Sequence, residues 1–183
     1  DRINAGPDID TVAYTTIRQA ISLAGQSLVN GRLLSQMDVS LLASGTQIAE
    51  LLNVESIQAW GASRFEYQQL PDPLINGKGF YSIRTGSGSL VVGSRFNDAI
   101  SLWYDNDTND SKAAAYTRTS KIDGGTGTNS VYADFYEAPE GVQLQALTGD
   151  SYQILTASSF VLAELTSIQV LNLEGSALAD TFN

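Results

Sequence analysis

The sequence contains neither cysteine nor histidine, and this double absence narrows the chemistry that is open to the chain. Without cysteine there is no disulfide framework. Without either residue the usual zinc and copper sites cannot be built, and a Ser-His-Asp or Cys-His nucleophile is excluded. A metal that binds this chain must therefore be a hard cation with oxygen ligands, for which calcium is the natural candidate.

Basic residues are scarce, and long apolar runs are missing. The 183 residues include 10 Lys or Arg against 20 Asp or Glu, which gives a net charge of −10. Such a surface repels phosphate backbones and anionic lipid headgroups, so we expect neither nucleic acid nor membrane insertion. No run of 18 apolar residues is present. The apolar content of 43% is ordinary for a globular protein, and we expect residues 1–183 to form one domain.

One segment occurs twice. Residues 3–12 (INAGPDIDTV) align without a gap on residues 122–131 (IDGGTGTNSV), an offset of 122 − 3 = 119. The second copy continues as GGTGTNSVY, one substitution from the nonapeptide G-G-x-G-x-D-x-U-x, in which U is a large apolar residue. In that pattern the glycines make tight turns and U points into the core. We therefore predict that Val12 and Val131, the two U positions, point inward and occupy equivalent places.

These motifs resemble the hemolysin-type (RTX) calcium-binding repeat family of secreted bacterial proteins. Residues 91–100 (VVGSRFNDAI) are similar to a V-x-G-S-x-x-N-D-x-I stretch of that family. Residues 175–182 form another copy and residues 61–65 a degraded third. The tripeptide Ser-Ile-Gln also recurs, at 56–58 and 167–169.

The resemblance implies a calcium site whose ligands or their neighbours are Asp8, Asp10, Asp123 and Asn129. Carboxylate and carbonyl oxygens are the ligands that calcium prefers. The alternative is that the copies are metal-free turns, in which Asn and Asp side chains satisfy their own backbone. Both interpretations are open at this point. The acidic stretch at 105–110, with sequons at Asn106 and Asn109, reads as a polar turn because it lacks the glycine and glutamate of a calcium-binding loop.

Short β-branched, aromatic or alternating runs bounded by Gly, Asn, Asp or Pro predict an all-β protein. The expected strands are 11–14, 20–23, 56–60, 80–84, 89–92, 99–104, 113–117, 130–136, 142–147 and 168–173. Apolar spacing predicts two short helices, at 44–55 and from 158 or 159 through 165. The expected fold is a parallel β-solenoid or β-roll-like domain with irregular insertions and one or two short helices.

The resemblance implies a non-catalytic structural and interaction module of a bacterial extracellular or cell-surface protein: a surface layer, an adhesin or a type I secreted exoprotein. Its expected partners are itself, neighbouring segments of the same protein, and surface polysaccharide. Because residues 1–4 and 180–183 interrupt repeat motifs, we expect a segment of a longer repeat protein. Open strand edges at such ends seek partners.

The alternative is a polysaccharide-active β-helix enzyme or its carbohydrate-binding accessory module. The aromatic residues that could line a sugar groove, with arginines at 64, 84 and 95 nearby, are Trp60, Phe65, Tyr67, Phe80 and Tyr81. Aromatic faces stack on sugar rings. The scarcity of lysine and arginine argues against a catalytic constellation, so no catalytic residue is predicted.

Overall fold

The computed structural model of the chain describes residues 2–4, 11–13, 21–25, 36–41, 47–52, 56–58, 65–68, 80–85, 87–93, 97–104 and 117–182. Within these ranges the backbone forms seventeen strands and no α-helix. Consequently these residues contain no helix that is long and apolar enough to cross a membrane. The expectation of an all-β protein is confirmed.

The strands are short, at two to seven residues each. In chain order they are β1 (Arg2–Asn4), β2 (Thr11–Ala13), β3 (Ile21–Gly25), β4 (Gln36–Leu41), β5 (Gln47–Leu52), β6 (Ser56–Gln58), β7 (Phe65–Gln68), β8 (Phe80–Thr85), β9 (Leu90–Val92), β10 (Asn97–Trp103), β11 (Ser120–Asp123), β12 (Ser130–Asp134), β13 (Val142–Ala146), β14 (Tyr152–Thr156), β15 (Val161–Thr166), β16 (Val170–Glu174) and β17 (Thr181–Phe182).

The strands belong to two sheets. The large sheet has eleven strands in the order β1-β5-β4-β3-β7-β9-β11-β15-β14-β13-β17, and the small sheet has six in the order β16-β12-β10-β8-β6-β2. Every pair in the small sheet is parallel. From β6 to β12 the chain alternates strictly between the sheets, so each strand pairs with the strand two positions along the chain.

The two copies of the repeated segment begin two units with the same strand pairing. In the first unit, β1 to β7, the large-sheet pairs β1-β5, β5-β4, β4-β3 and β3-β7 are parallel, antiparallel, antiparallel and parallel. In the second unit, β11 to β17, the pairs β11-β15, β15-β14, β14-β13 and β13-β17 repeat that order. Each unit also has a register irregularity at the same pairing, β4-β5 and β14-β15. The repeat therefore extends well beyond the ten residues that align.

The register corrects one of the sequence matches. Leu51 pairs with Ile3 as Leu165 pairs with Ile122, so these leucines are equivalent at an offset of 165 − 51 = 114. The tripeptide match at 56–58 and 167–169, with its offset of 111, is out of register by three residues. Residues 56–58 form β6, whereas 167–169 form the turn before β16.

An aliphatic row crosses the small sheet from edge to edge. Its six members in register order are Val12, Ile57, Ile83, Ile100, Val131 and Leu171. Ile100 is 1% exposed and Val131 is 0% exposed, while Val12 and Leu171 at the two ends are half-buried. The expectation that Val12 and Val131 occupy equivalent places agrees with this register, and the predicted burial of Val131 is confirmed.

A buried tyrosine connects the two sheets. Tyr104 follows β10 of the small sheet, and its ring packs on Phe135 with centroids 4.7 Å apart. Its hydroxyl lies within hydrogen-bonding reach of the carbonyls of Arg118 and Leu162 and of the Ser120 hydroxyl, all on the large-sheet side. Burial raises the pKa of Tyr104 far above its ordinary value, so the group stays neutral and able to donate.

The two predicted helices are wrong where the structure describes them. Residues 47–52 form β5 and residues 161–166 form β15. These strands occupy the same place in the two units, and both contain an Ala-Glu-Leu sequence. Helix-favouring residues are therefore held as strands by pairing on both sides, which is a tertiary override of local propensity. The predicted strand at 113–117 lies outside the described residues except for Thr117, which is in a turn.

Candidate functional site

The turn that joins β11 to β12 is the site to which the repeated motif points. Gly125 and Gly127 have φ angles of 74° and 100°, in the left-handed region that residues with a Cβ rarely adopt. A Cβ on Gly124 would lie 2.5 Å from the carbonyl oxygen of Ser167. The glycine pattern is thus required by the path of the backbone, whether or not an ion is bound.

Asn129 closes this turn from the inside. It is 0% exposed, and its Oδ1 accepts a hydrogen bond from the backbone N–H of Asp98 at 2.9 Å. Its Nδ2 donates to the carbonyls of Ser167 (3.1 Å) and Thr126 (3.3 Å), and its backbone N–H donates to Oε1 of Gln169 (2.6 Å). One amide side chain therefore connects the start of β10 with the stretches of backbone that precede β12 and β16.

Asp123 lies at the start of the same turn but on its outside. It is the last residue of β11 and is exposed, and its Oδ1 accepts a hydrogen bond from the backbone N–H of Gly125 at 3.0 Å. This contact is the Asx turn expected of a metal-free loop, yet the exposed carboxylate still carries a charge that attracts a cation. The structure thus places two predicted ligands in one turn, with Asn129 buried and Asp123 exposed.

The connection from β9 to β10 has the same spacing as the β11–β12 turn. In both, a glycine is followed five positions later by a polar residue: Gly93 by Asp98, and Gly124 by Asn129. A Cβ on Gly93 would lie 2.6 Å from Oδ2 of Asp98, just as one on Gly124 would lie 2.7 Å from Cβ of Asn129. Asp98 is 1% exposed. It was not among the residues predicted for the site, although its spacing from the glycine marks the position. Residues 94–96, between Gly93 and β10, lie outside the described residues.

A third turn, between β16 and β17, uses the same spacing of a glycine and a polar residue five positions later. Gly175 follows β16 of the small sheet, and the side chain of Asp180 packs where a Cβ on Gly175 would be. Asp180 Oδ1 accepts hydrogen bonds from the backbone N–H of Val142 and the hydroxyl of Ser176, each at 2.8 Å. This turn leads from the small sheet to the large one, whereas 93–98 and 124–129 lead the other way. The copies at 91–100 and 175–182 therefore share local chemistry but are not spatially equivalent.

The described residues contain no group of three or more His, Cys, Asp or Glu side chains that could hold a metal ion. Two of the predicted ligands, Asp8 and Asp10, lie outside the described residues, as do the acidic stretch 105–110 and the degraded copy at 61–64. Calcium binding at Asp8, Asp10, Asp123 and Asn129 therefore stays a prediction.

The aromatic residues that were candidates for a sugar groove are divided between the sheets. Phe65 and Tyr67 belong to β7 of the large sheet, and Phe80 and Tyr81 belong to β8 of the small sheet. Trp60 and the arginines at 64 and 95 lie outside the described residues. The predicted groove relied on the closeness of these aromatic residues in the chain, whereas the alternation of strands between the two sheets places them on different sheets.

A different aromatic pair lies on the outward face of the small sheet. The rings of Trp103 and Tyr132 are 5.8 Å apart at their centroids, tilted by 55°. The Tyr132 hydroxyl donates to the carboxylate of Glu174 at 2.5 Å. Both rings are half-buried, and they alternate along their strands with the buried Leu102 and Val131. Alternation in the sequence could have assigned their face, but the parallel register that brings them together could not be read from it.

Comparison of the chain with protein-family models, with curated proteins and with solved structures finds no match in any of the three. The geometry of the turns and sheets is therefore the basis for the function proposed below.

Proposed function

We propose that this chain is a non-catalytic structural and interaction module of a bacterial extracellular or cell-surface protein, folded as a β-solenoid-like roll and stabilised by calcium. Surface layers, adhesins and type I secreted exoproteins are the classes to which such a module would belong. Its partners are copies of itself, neighbouring segments of the same protein, and surface polysaccharide.

The observation that carries this proposal is the duplicated unit, stacked through parallel strands whose side chains form continuous rows. The aliphatic row from Val12 to Leu171 joins β2 and β6 of the first unit to β12 and β16 of the second through the two intervening strands β8 and β10. Such nearest-neighbour stacking is the organisation of repeat proteins, whose usual role is to present an extended surface or to act as a spacer. The absence of histidine and cysteine from the sequence favours a structural role over nucleophilic catalysis.

Calcium fits the proposal because of the charge and the turn chemistry. The chain carries ten more acidic than basic residues. Two turns place an Asn or Asp side chain in hydrogen bonds with backbone groups, Asn129 and Asp180, and Asp98 packs against Gly93. Irregular, carbonyl-rich surroundings suit the large coordination shell of calcium better than the octahedral shell of magnesium. Asp8 and Asp10 carry the charge in the first copy, and Asp123 carries it in the second.

Thermal unfolding of the chain with millimolar calcium, compared with millimolar magnesium, tests this proposal. An ion that binds only the folded state at a hundredfold excess over its Kd stabilises it by about 2.7 kcal/mol. We expect calcium to raise the midpoint and magnesium to raise it less. The double variant Asp8→Asn/Asp10→Asn should lose most of the calcium response.

The matched control is Glu164→Gln, which removes an acidic charge outside the turns, from an exposed pair with Lys121 at 3.0 Å. It should keep the calcium response. If Glu164→Gln lowers the response as much as the double variant does, calcium acts by general charge screening and not at the turns. If neither ion changes the midpoint of the parent chain, the turns are held by hydrogen bonds alone and the calcium part of the proposal is wrong.

A second candidate function, carbohydrate binding, is favoured by one observation, the pair of Trp103 and Tyr132 beside Glu174. Sugar rings stack on aromatic faces, and carboxylates accept hydrogen bonds from sugar hydroxyls. Calorimetric titration with acidic and neutral polysaccharides would detect it. Tyr132→Ala should abolish the heat of binding, while Tyr136→Ala, an exposed tyrosine beyond the end of β12, should not. Hydrolysis or cleavage of a polysaccharide would instead support the enzyme alternative.

A further inference from the structure

We propose that two copies of this chain associate head to tail, with β1 and β2 of one copy adding as parallel strands to β17 and β16 of the other. This inference rests on the proposed function, since it specifies which surfaces of the module bind and in which orientation. The occupant of each edge is a second copy of the chain.

The first argument comes from the equivalence of the two units. In the first unit β6 and β7 each have a further parallel neighbour, β8 in the small sheet and β9 in the large sheet. Their counterparts in the second unit, β16 and β17, are the outermost strands of the same two sheets within the described residues. The edge formed by β16 and β17 in the second unit is therefore equivalent to the edge of the first unit that already pairs with β8 and β9.

The opposite ends supply the complementary strands. Among the described strands β1 and β2 are outermost at the other edges of the two sheets, and their counterparts β11 and β12 pair in parallel with β9 and β10. In the second unit, the strands equivalent to β1 and β2 thus each have a parallel neighbour on the side where β1 and β2 have none among the described strands. The two free edges match in strand direction and in the sheet to which each belongs.

The second argument concerns the backbone of β16. The N–H of Val170 donates to the carbonyl of Asn129, and the carbonyl of Glu174 accepts from the N–H of Phe135, so these groups face β12. Because the direction of backbone groups alternates along a strand, the N–H and C=O groups of Leu171 and Leu173 face away from β12. They form a ladder that a parallel strand can extend.

The third argument is that the edge is apolar. Among the described residues, Val170, Leu178 and Phe182 at this end are 45%, 53% and 53% exposed, and they make up half of the exposed large hydrophobic side chains. Leu171 and Val12 are the two half-buried ends of the aliphatic row. If Val12 of a second copy pairs in register with Leu171, the aliphatic row continues from one copy into the next. Val12 and Leu171 then each have an aliphatic neighbour on both sides, as the four inner members of the row already do.

Sedimentation velocity of the chain over about a hundredfold concentration range, in physiological salt that screens its net charge of −10, tests this association. Because a head-to-tail contact does not close on itself, we expect species that grow in steps of 19.6 kDa beyond the dimer. Val170→Lys/Asn172→Lys places two charges on the outward side of β16 and should weaken association by at least about tenfold. Leu147→Lys/Thr148→Lys adds the same two charges in the exposed β13–β14 turn and should leave association unchanged.

Cysteine cross-linking tests the register, since the natural sequence has no cysteine. Continuing the row that pairs Val12 with Leu171 places Ala13 of one copy opposite Asn172 of the other. Paired strands hold such residues within the distance that a disulfide spans. A mixture of Ala13→Cys and Asn172→Cys chains should form disulfide-linked dimers upon oxidation, and neither variant alone should do so.

Two results would overturn the inference. Efficient cross-linking of Asn172→Cys alone would show symmetric pairing of two β16 edges. A monomer at every concentration, with a cooperative β-sheet melt that still responds to calcium, would show that the edges do not bind a second copy, and the proposed function would remain. Loss of the calcium response with association intact would contradict the calcium part of the proposed function and leave this inference standing.

Discussion

At the scale of single residues, Val131 is the position whose role is best defined. It is 0% exposed and lies in register between Ile100 and Leu171 in the aliphatic row. Val131→Ala leaves a cavity in a row that cannot close without moving two strands, and we expect it to lower the free energy of unfolding by about 1 to 3 kcal/mol. Urea unfolding measures this. The control Val170→Ala makes the same substitution at an exposed position of the edge strand β16, and it should change the free energy of unfolding by less than about 0.5 kcal/mol.

Asn129 shows how the turn is held without relying on an ion. Its Nδ2 lies between the carbonyls of Thr126 and Ser167, the place where a cation would contact the same oxygens. Asn129→Asp replaces that donor by a carboxylate oxygen, and we expect a loss of about 1 to 3 kcal/mol in the presence of a chelator. Calcium should recover a large part of the loss, because a cation can bridge the carboxylate and the two carbonyls.

The control for this variant is Asn129→Ala, which removes the same hydrogen bonds without supplying a charged ligand. It should be destabilised to a similar degree, and calcium should not restore it through this turn. Equal stability of Asn129→Asp with and without calcium would contradict the expectation and show that the turn cannot admit a cation. Urea unfolding of both variants at fixed calcium or chelator concentration measures the difference.

Single residues were also where prediction from the sequence was most uneven. Val131 was assigned to the core because a repeat motif fixes its phase. Asp98 was not assigned: its spacing from Gly93 marks the position, but the spacing alone does not show that the carboxyl packs against Gly93 and is buried. Burial of a polar residue depends on a backbone approach between distant segments, which the order of residues in the chain does not contain.

At the scale of elements, strand identity was predictable where the residues are β-branched and not where they favour helices. The expected strands at 56–60, 80–84 and 130–136 begin at the same residues as β6, β8 and β12 and differ from them by one or two residues at their ends. The Ala-Glu-Leu sequences of β5 and β15 instead predicted helices. Each of these strands pairs on both sides, with β1 and β4 or with β11 and β14. Sheet pairing therefore outweighs local propensity in both units.

One connection between elements should respond to pH. Glu140, just before β13, accepts hydrogen bonds from the hydroxyl (2.7 Å) and the backbone N–H (2.9 Å) of Ser158 in the β14–β15 turn. These bonds, the side-chain bond above all, hold the pKa of Glu140 below its ordinary value. Because the folded-state pKa is lowered, this contact stabilises the fold above the unfolded pKa. Its contribution is lost as the pH falls through the folded pKa.

An NMR titration of the Glu140 carboxyl carbon measures this directly. We expect its pKa to lie below that of an exposed glutamate, and Ser158→Ala should return it toward the ordinary value. A Glu140 pKa that is unaltered by Ser158→Ala would contradict the assignment of these hydrogen bonds as the cause.

At the scale of the whole molecule, the sequence contained the duplication but not its extent. Ten aligned residues at an offset of 119 marked the start of each unit, while the equivalences near the end of each unit have an offset of 114. The segments from β2 to β6 and from β12 to β16, each of which contains three strands, therefore differ in length by 119 − 114 = 5 residues, and this difference hides the repeat from an ungapped comparison. Which sheet receives each strand was not predictable, because parallel partners lie between 97 − 80 = 17 and 50 − 2 = 48 residues apart in the chain.

The continuous rows across both units predict that the whole molecule unfolds in one step. β8 pairs with β6 of the first unit, β10 pairs with β12 of the second, and β9 pairs with one strand of each, β7 and β11. Unfolding of either unit therefore exposes part of the apolar row that continues into the other. The sequence has two tryptophans, Trp60 and Trp103, and Trp103→Phe leaves Trp60 as the only indole reporter, in the part of the chain that precedes the second unit. We expect the fluorescence of Trp60 and the far-UV circular dichroism to give the same urea midpoint.

In the same Trp103→Phe background, Val131→Ala in the second unit should lower both midpoints equally, because the aliphatic row that contains Val131 continues to Val12. A control with Val170→Ala should move neither. Separate midpoints, or a Val131→Ala effect confined to the dichroism, would mean that the two units unfold independently, as weakly coupled repeats do.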